Sequence, residues 1–113
     1  MSTRAFITGV SGPELNAAER EFIRAERPWG FILFKRNAET PAQVARLISE
    51  LREVAGAADV PVLIDQEGGR VQRLRPPHWQ NYPAGAVFGA LYDIDPALGL
   101  SAARLSARLI VRL

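Results

Sequence analysis

Hydrophobic residues along the chain fall into three short uninterrupted runs, each followed by a segment with helical periodicity. The runs span residues 5–8, 30–34 and 60–64. None of them alternates with polar residues, which is typical of strands buried on both faces of a parallel sheet. The pattern therefore predicts three such strands.

Two of the following segments carry clear helix signals. Asn16 and Glu19 have the spacing of a capping box, and Pro28 is expected to end that helix. Thr40 is a suitable N-cap for the second helix. Apolar residues at three- and four-residue steps then continue to Gly56, which is expected to close the helix.

A third helix is predicted to begin at Asp95 and to run to Leu113. Its apolar face is formed by Leu98, Ala102, Leu105 and Leu109. Residues 67–94 show no periodic pattern and predict a long irregular stretch. A loop of that length inside a compact domain is usually functional.

Alternation of strands and helices predicts an α/β fold with a parallel sheet. A βα barrel needs about 250 residues for eight units, so three units would be less than half of one. We therefore expect residues 1–113 to form an incomplete sheet. Such a sheet would have unpaired edges, through which the chain is expected to self-associate.

Composition excludes several classes of protein. The 14 Lys and Arg residues against 12 Asp and Glu give a net charge of +2. This surplus of positive charge is too small to bind nucleic acid. The absence of cysteine excludes disulfides and thiol catalysis. No apolar run is long enough to span a membrane, and the first residues do not resemble a signal peptide. We expect a cytoplasmic protein.

The strongest candidate for chemistry is Asp65, which directly follows the third predicted strand. Ligands of parallel βα folds collect at the carboxyl ends of strands. A buried carboxylate there needs a partner, and Arg70 and Arg73 are close enough in sequence to supply one. The pair would either bind substrate hydroxyls or act as an internal ion pair that holds the loop.

The residues that follow Asp65 allow more specific functional interpretations, which are less favoured. Glu67 could join Asp65 in metal binding or acid–base catalysis, but no third ligand lies nearby, and bonding to loop backbone is favoured. Gly68 and Gly69 suit a sharp turn with positive φ. A phosphate cradle is disfavoured because no Lys-Ser/Thr follows them. We predict no metal and no cofactor.

Other polar residues near the predicted strand ends are interpreted structurally. Arg36 is expected to be solvated or paired, and Asn37 to cap its own turn. His78 is the only histidine and is expected to be a loop residue rather than a base. Trp79 and Tyr82 are expected to pack the loop down rather than to stack on a sugar.

Two segments resemble glycoside hydrolase family 3, and most closely its bacterial β-N-acetylhexosaminidases of peptidoglycan recycling. They are Trp-Gly-Phe-Ile-Leu-Phe-Lys-Arg-Asn at 29–37 and Val-Leu-Ile-Asp-Gln-Glu-Gly-Gly-Arg-Val-Gln-Arg-Leu at 62–74. The resemblance implies a TIM-barrel enzyme without a cofactor. It would remove terminal β-linked N-acetylglucosamine from cell-wall fragments with retention of configuration. It also implies that Asp65 and Arg73 bind the sugar in the −1 subsite.

The chain departs from this family in its catalytic groups. Retaining hydrolysis needs a nucleophile and an acid/base. In the family these are a downstream aspartate and a histidine in a Lys-His-Phe-Pro-Gly-His-Gly loop. Neither motif occurs here, and His78 does not match that loop. The resemblance therefore implies the N-terminal three βα units of a TIM (β/α)8 barrel. We expect this portion to be inactive alone and to contribute Asp65 and Arg73 to binding of an N-acetylglucosamine-containing muropeptide or sugar.

Two alternatives stay open at this point. The chain could be a non-catalytic sugar-binding module that closes its sheet by self-association. It could also be a phosphate-binding βα domain centred on residues 68–70.

Overall fold

A three-stranded parallel sheet lies at the centre of the first half of the chain in the computed structural model, which describes residues 2–113. Its strands are β1 (Arg4–Thr8), β2 (Pro28–Leu33) and β3 (Val62–Ile64), in the order β1-β2-β3. Phe31 of β2 is in register with Thr8 and with Val62. The predicted α/β class and parallel sheet are confirmed.

Helix α1 (Ala17–Glu26) connects β1 to β2 and begins with the predicted capping box. The Glu19 N–H donates to Asn16 Oδ1 at 2.8 Å, and the Asn16 N–H donates to Glu19 Oε2 at 3.0 Å. The helix ends directly before Pro28, as predicted. Arg27 ends the helix in the left-handed region at φ 50°, and Pro28 is already the first residue of β2.

Helix α2 (Pro41–Ala55) connects β2 to β3 and has both predicted ends. Thr40 Oγ1 accepts a hydrogen bond from the Gln43 N–H at 3.2 Å. Gly56 closes the helix at φ 72°, a conformation that glycine adopts without steric cost.

Both helices pack on one face of the sheet, where they form the core of this half of the chain. Phe31 of β2 is fully buried there, with Ile23 from α1 and Leu51 from α2. The opposite face is uncovered, since Ile7 is 44% and Leu63 39% exposed. The prediction of strands buried on both faces is therefore wrong for this chain, because its two helices cover only one side.

The chain divides into two compact units, of which the first ends at Ile64 and the second spans Asp65–Leu113. The second unit contains an antiparallel hairpin of β4 (Gln66–Gly68) and β5 (Val71–Gln72). Two helices follow it, α3 (Gly85–Ile94) and α4 (Pro96–Ile110).

Helix α3 corrects the prediction of an irregular stretch over residues 67–94. Its sequence, Gly-Ala-Val-Phe-Gly-Ala-Leu-Tyr-Asp-Ile, is almost entirely apolar and so shows no contrast between faces. Its N-cap, Ala84, has no side-chain oxygen to accept a hydrogen bond. Neither of the usual helix signals is therefore present in the sequence.

Helix α4 begins where predicted, but it packs through a different face. The Leu98 N–H donates to Asp95 Oδ1 at 3.1 Å. The predicted leucine face is exposed, with Leu105 at 59%. The buried residues of α4 are the small Gly99 and Ser106, and a Cβ at Gly99 would lie 2.5 Å from the Tyr92 Cα of α3. Small residues thus let the two helix backbones approach closely.

No helix formed by residues 2–113 has the length and apolar composition needed to cross a bilayer.

Candidate functional site

Asp65 and Arg73 lie next to each other at the start of the second unit. Arg73 Nη2 is 3.4 Å from Asp65 Oδ2, and the side chains of Arg73 and Asp65 are 27% and 45% exposed, respectively. The predicted pairing of Asp65 with a nearby arginine is confirmed. The partner is Arg73, whereas Arg70 is exposed in the turn of the hairpin.

The geometry leaves the Asp65 carboxylate able to accept further hydrogen bonds. One of its oxygens faces Arg73, and almost half of the side chain is open to solvent. An ionised carboxylate offers several acceptor positions, and a guanidinium offers five donors in a fixed plane. Together they provide an acceptor and donors side by side, as a ligand with several hydroxyl groups requires.

The Gln66 carboxamide holds the backbone that carries Arg73. Gln66 Oε1 accepts hydrogen bonds from the N–H groups of Arg73 at 2.9 Å and Leu74 at 3.0 Å. Gln66 Nε2 donates to the Leu74 carbonyl at 2.9 Å. The position from which the Arg73 side chain leaves the backbone is therefore set by three hydrogen bonds.

A second carboxamide, that of Gln72, fixes the segment after the hairpin. Gln72 is only 1% exposed. Gln72 Nε2 donates to the Gln80 carbonyl at 3.1 Å, and Gln72 Oε1 accepts from the Tyr82 N–H at 3.0 Å. Sequence reasoning missed both glutamines. The available signal was their position on either side of a diglycine turn, at the spacing of paired hairpin residues.

The turn interpretation of the two glycines is confirmed. Gly68 has φ 88° and Gly69 has φ 60°. A Cβ at Gly68 would clash with the Pro83 carbonyl oxygen, so only glycine fits. The Gly69 N–H donates to the Tyr82 carbonyl at 2.7 Å and is therefore already used within the protein.

Glu67 lies in β4 and is exposed. Its expected role in bonding loop backbone is wrong, because the loop bonds to Gln66 and Gln72 instead. Across residues 2–113, no three His, Cys, Asp or Glu side chains are grouped as metal ligands would be.

In the first unit, Asn37 organises the carboxyl ends of β1 and β2. This residue is fully buried. Its Oδ1 accepts from the Phe34 N–H at 2.8 Å, and its Nδ2 donates to the carbonyls of Val10 at 3.0 Å and Gly12 at 2.8 Å. The predicted turn cap is confirmed, and it also holds the loop after β1. Arg36 adds a hydrogen bond from Nε to the Val10 carbonyl at 3.1 Å.

His78 is exposed, and its ring lies edge-on to Trp79 with 5.9 Å between centroids. The prediction that it is a loop residue is confirmed. Trp79 and Tyr82 are both partly buried, as packing of the loop requires.

Comparison with known proteins identifies the relatives of the chain. No protein-family model matches it. A protein named β-hexosaminidase from Xanthomonas campestris pv. campestris is 42% identical over 107 residues, which are 92% of this chain and 31% of the relative. One of the same name from Xanthomonas axonopodis pv. citri is 45% identical over 106 residues, 92% of this chain and 30% of the relative. The chain is homologous to the β-hexosaminidases.

Solved structures agree with this relationship. NagZ from Neisseria gonorrhoeae, in complex with N-trifluoroacetyl-D-glucosamine, matches with a TM-score of 0.86 and 26% identity over 95% of this chain. A glycoside hydrolase family 3 β-N-acetylglucosaminidase from Paenibacillus matches with a TM-score of 0.67 and 34% identity over 75% of this chain. These matches cover 32% and 16% of the two solved chains.

The predicted resemblance to glycoside hydrolase family 3 is therefore confirmed, and the relatives are enzymes that act on glycosides. The chain spans about a third of the length of the curated relatives it matches.

Proposed function

We propose that residues 1–113 are the N-terminal three βα units of a TIM-barrel β-N-acetylhexosaminidase of glycoside hydrolase family 3. The whole enzyme would release terminal β-linked N-acetylglucosamine from peptidoglycan fragments in the cytoplasm, with retention of configuration and without a cofactor. The observation that carries this proposal is the Asp65–Arg73 pair, which lies directly after β3 in a chain homologous to β-hexosaminidases.

The uncovered face of the sheet supports the barrel. Ile7 and Leu63 project from the side of the sheet opposite to α1 and α2. In a (β/α)8 barrel the helices surround the strands, and branched apolar side chains on the other face fill the interior. Further strands would bury these two residues and pair the edges of the sheet.

Asp65 and Arg73 are proposed to bind hydroxyl groups of the sugar. Their ion pair is partly exposed, and such a pair contributes only about 0–1 kcal/mol to stability. The pair therefore contributes little to holding the loop in place. Hydrogen bonds from hydroxyl groups to a carboxylate are charge-assisted and are about twice as strong as neutral ones. The functional interpretation of the pair is accordingly favoured over the structural one.

Cleavage is assigned to groups outside this segment. A retaining mechanism needs two carboxyl groups, or their equivalents, about 5 Å apart across the glycosidic bond. The histidine of this segment, His78, is in ring contact with Trp79 in a loop and is given no catalytic role. The 113-residue chain is therefore proposed to bind sugar without turnover.

The proposal is tested by titrating N-acetylglucosamine into the chain and following its amide signals by NMR. We expect binding by wild type and an increase in Kd of about tenfold for Asp65→Asn, which removes one charge-assisted acceptor. Asp93→Asn, at an exposed aspartate of the same unit, serves as the matched control and should leave Kd unchanged. Equal affinities for Asp65→Asn and wild type would remove Asp65 from the subsite.

A second candidate is a non-catalytic sugar-binding module that closes its sheet by self-association. The uncovered face around Ile7 and Leu63 favours it. A defined oligomer that binds N-acetylglucosamine would support this module. The phosphate-binding alternative is disfavoured because the Gly69 N–H already bonds to the Tyr82 carbonyl. It requires sugar phosphates, and not plain sugars, to raise the Tm.

A further inference from the structure

The side chain of Gln66 acts as an extension of the β4–β5 hairpin. Backbone pairing in this hairpin places Gln66 opposite Gln72 and ends there. Beyond that point the Gln66 carboxamide accepts from two successive N–H groups, those of Arg73 and Leu74, and donates to the Leu74 carbonyl. A side-chain amide thus supplies the donor and acceptor that a longer strand would have supplied from its backbone.

This arrangement ties together both members of the Asp65–Arg73 pair. Asp65 immediately precedes Gln66 in the chain, and the Gln66 carboxamide bonds directly to the backbone of Arg73. Leu74, the other residue bonded by the carboxamide, is only 7% exposed and anchors this backbone in the unit. The Gln66 carboxamide therefore links the attachment points of the two charged side chains, beside the backbone pairing of the hairpin.

The ion pair by itself is too weak to set this geometry. Its contacting atoms are 3.4 Å apart and both side chains are partly exposed, so the pair contributes little to stability. Ordering a long arginine side chain costs rotamer entropy, which a weak ion pair does not offset by itself. Gln66 fixes the point from which the Arg73 side chain leaves the backbone, and this limits where the guanidinium can lie.

We infer that Gln66 is a positioning residue of the sugar subsite: its carboxamide holds the Arg73 backbone so that the guanidinium meets Asp65 and both face the same ligand. This inference rests on the proposed function for the role of the pair. The positioning itself is a property of the hairpin and is measurable without sugar.

Three variants of the 113-residue chain test it. Gln66→Met keeps the length of the side chain and removes all three hydrogen bonds. Gln66→Glu keeps the acceptor and loses the donor to the Leu74 carbonyl. Gln80→Met, at an exposed glutamine of the same unit, is the matched control.

The first measurement is the change in the NMR chemical shift of the Arg73 Nε–H group that Asp65→Asn causes. In wild type and Gln80→Met, we expect Asp65→Asn to shift this signal, because the two side chains are in contact. In Gln66→Met, we expect the shift to be lost, and in Gln66→Glu to be reduced. The second measurement is the Kd for N-acetylglucosamine, expected to rise about tenfold in Gln66→Met and about threefold in Gln66→Glu.

A Gln66→Met chain that keeps the full Asp65-dependent shift of the Arg73 signal would overturn the inference. If Gln66→Met does not fold, the effect of Asp65→Asn on the Arg73 signal is measured in Gln66→Glu instead. A shift as large as that in wild type would then overturn the inference. If wild type binds no N-acetylglucosamine, the proposed function fails, while the Arg73 signal still decides whether Gln66 positions the pair.

Discussion

The Asn37 carboxamide is fully buried and bonds to three backbone groups from two parts of the chain. The Val10 carbonyl also accepts a hydrogen bond from Arg36, whereas the Gly12 carbonyl and the Phe34 N–H bond to the Asn37 side chain. Backbone groups that lose a partner away from water cost free energy, so the Asn37 side chain contributes to the stability of the loop after β1, together with Arg36.

We predict that Asn37→Ala lowers the free energy of unfolding by about 2–3 kcal/mol, because it leaves the partly buried Phe34 N–H and Gly12 carbonyl without this partner. Urea denaturation followed by circular dichroism measures this change. The control is Gln80→Ala, whose side chain is exposed and whose loss should cost less than about 0.5 kcal/mol. A loss below about 1 kcal/mol for Asn37→Ala would contradict the prediction.

Among single residues, the sequence predicts correctly where the signal is local. It predicts that Asn37 caps its turn and that Asp65 pairs with a neighbouring arginine. The choice of Arg73 over Arg70 depends on the hairpin, because the turn at Gly68 and Gly69 directs the chain back so that residue 73 lies beside residue 65.

At the level of the secondary-structure elements, the capping box of α1 carries a titratable group with a shifted pKa. Burial by itself would raise the pKa of Glu19. Hydrogen bonds from the backbone N–H groups of Asn16 and Ser11, and from the Ser11 side chain, outweigh it and lower the pKa. The folded protein thus favours the ionised carboxylate.

Because the pKa of Glu19 is lower when the chain is folded, its charge stabilises the fold above the ordinary pKa of glutamate. That contribution is lost as the pH falls through the lowered pKa. We predict that Glu19→Gln destabilises the protein by roughly 0.5–1 kcal/mol at pH 7 and by less at strongly acidic pH. Thermal unfolding between acidic and neutral pH tests this. A difference in stability that does not change with pH would contradict it.

The packing of helices α3 and α4 depends on close approach of their backbones. Gly99 in α4 has no room for a Cβ against Tyr92, whereas a Cβ at Gly89 in α3 would enter open space. The two helical glycines therefore form a matched pair for substitution.

We predict that Gly99→Ala lowers the free energy of unfolding by more than about 2 kcal/mol, since α3 and α4 must separate to admit the methyl group. Gly89→Ala should raise it by up to about 1 kcal/mol, because alanine favours a helix over glycine. Denaturant unfolding of both variants measures the two changes in the free energy of unfolding, which we expect to have opposite signs. Equal effects would show that the packing of Gly99 against Tyr92 is unimportant.

For the molecule as a whole, the sheet of the first unit has one apolar face without cover. Ile7 is 44% and Leu63 39% exposed there, on the two strands that flank the central strand β2. Apolar surface of this kind marks a site of protein contact or of aggregation. Within the proposed barrel it would be the interior.

We predict that the 113-residue chain self-associates through this face at rising concentration. The double substitution Ile7→Thr and Leu63→Thr should weaken the association about tenfold, because it removes apolar area while threonine still suits a strand. Sedimentation velocity over a range of concentrations measures the effect. Val87→Thr, at an exposed position of the second unit, is the control. A double variant that associates as strongly as wild type would contradict the use of this face.

Features that depend on neighbours along the chain are predictable from the order of the amino acids alone. The three strands, the caps of α1 and α2, the glycine turn and the family resemblance all arise from residues a few positions apart. Three further features were settled only by the folded chain. They are the helical state of α3, the packing of α4 through Gly99 rather than through its leucines, and the anchoring of the loop by Gln66 and Gln72. These features depend on how segments approach one another in three dimensions, which no periodic pattern encodes.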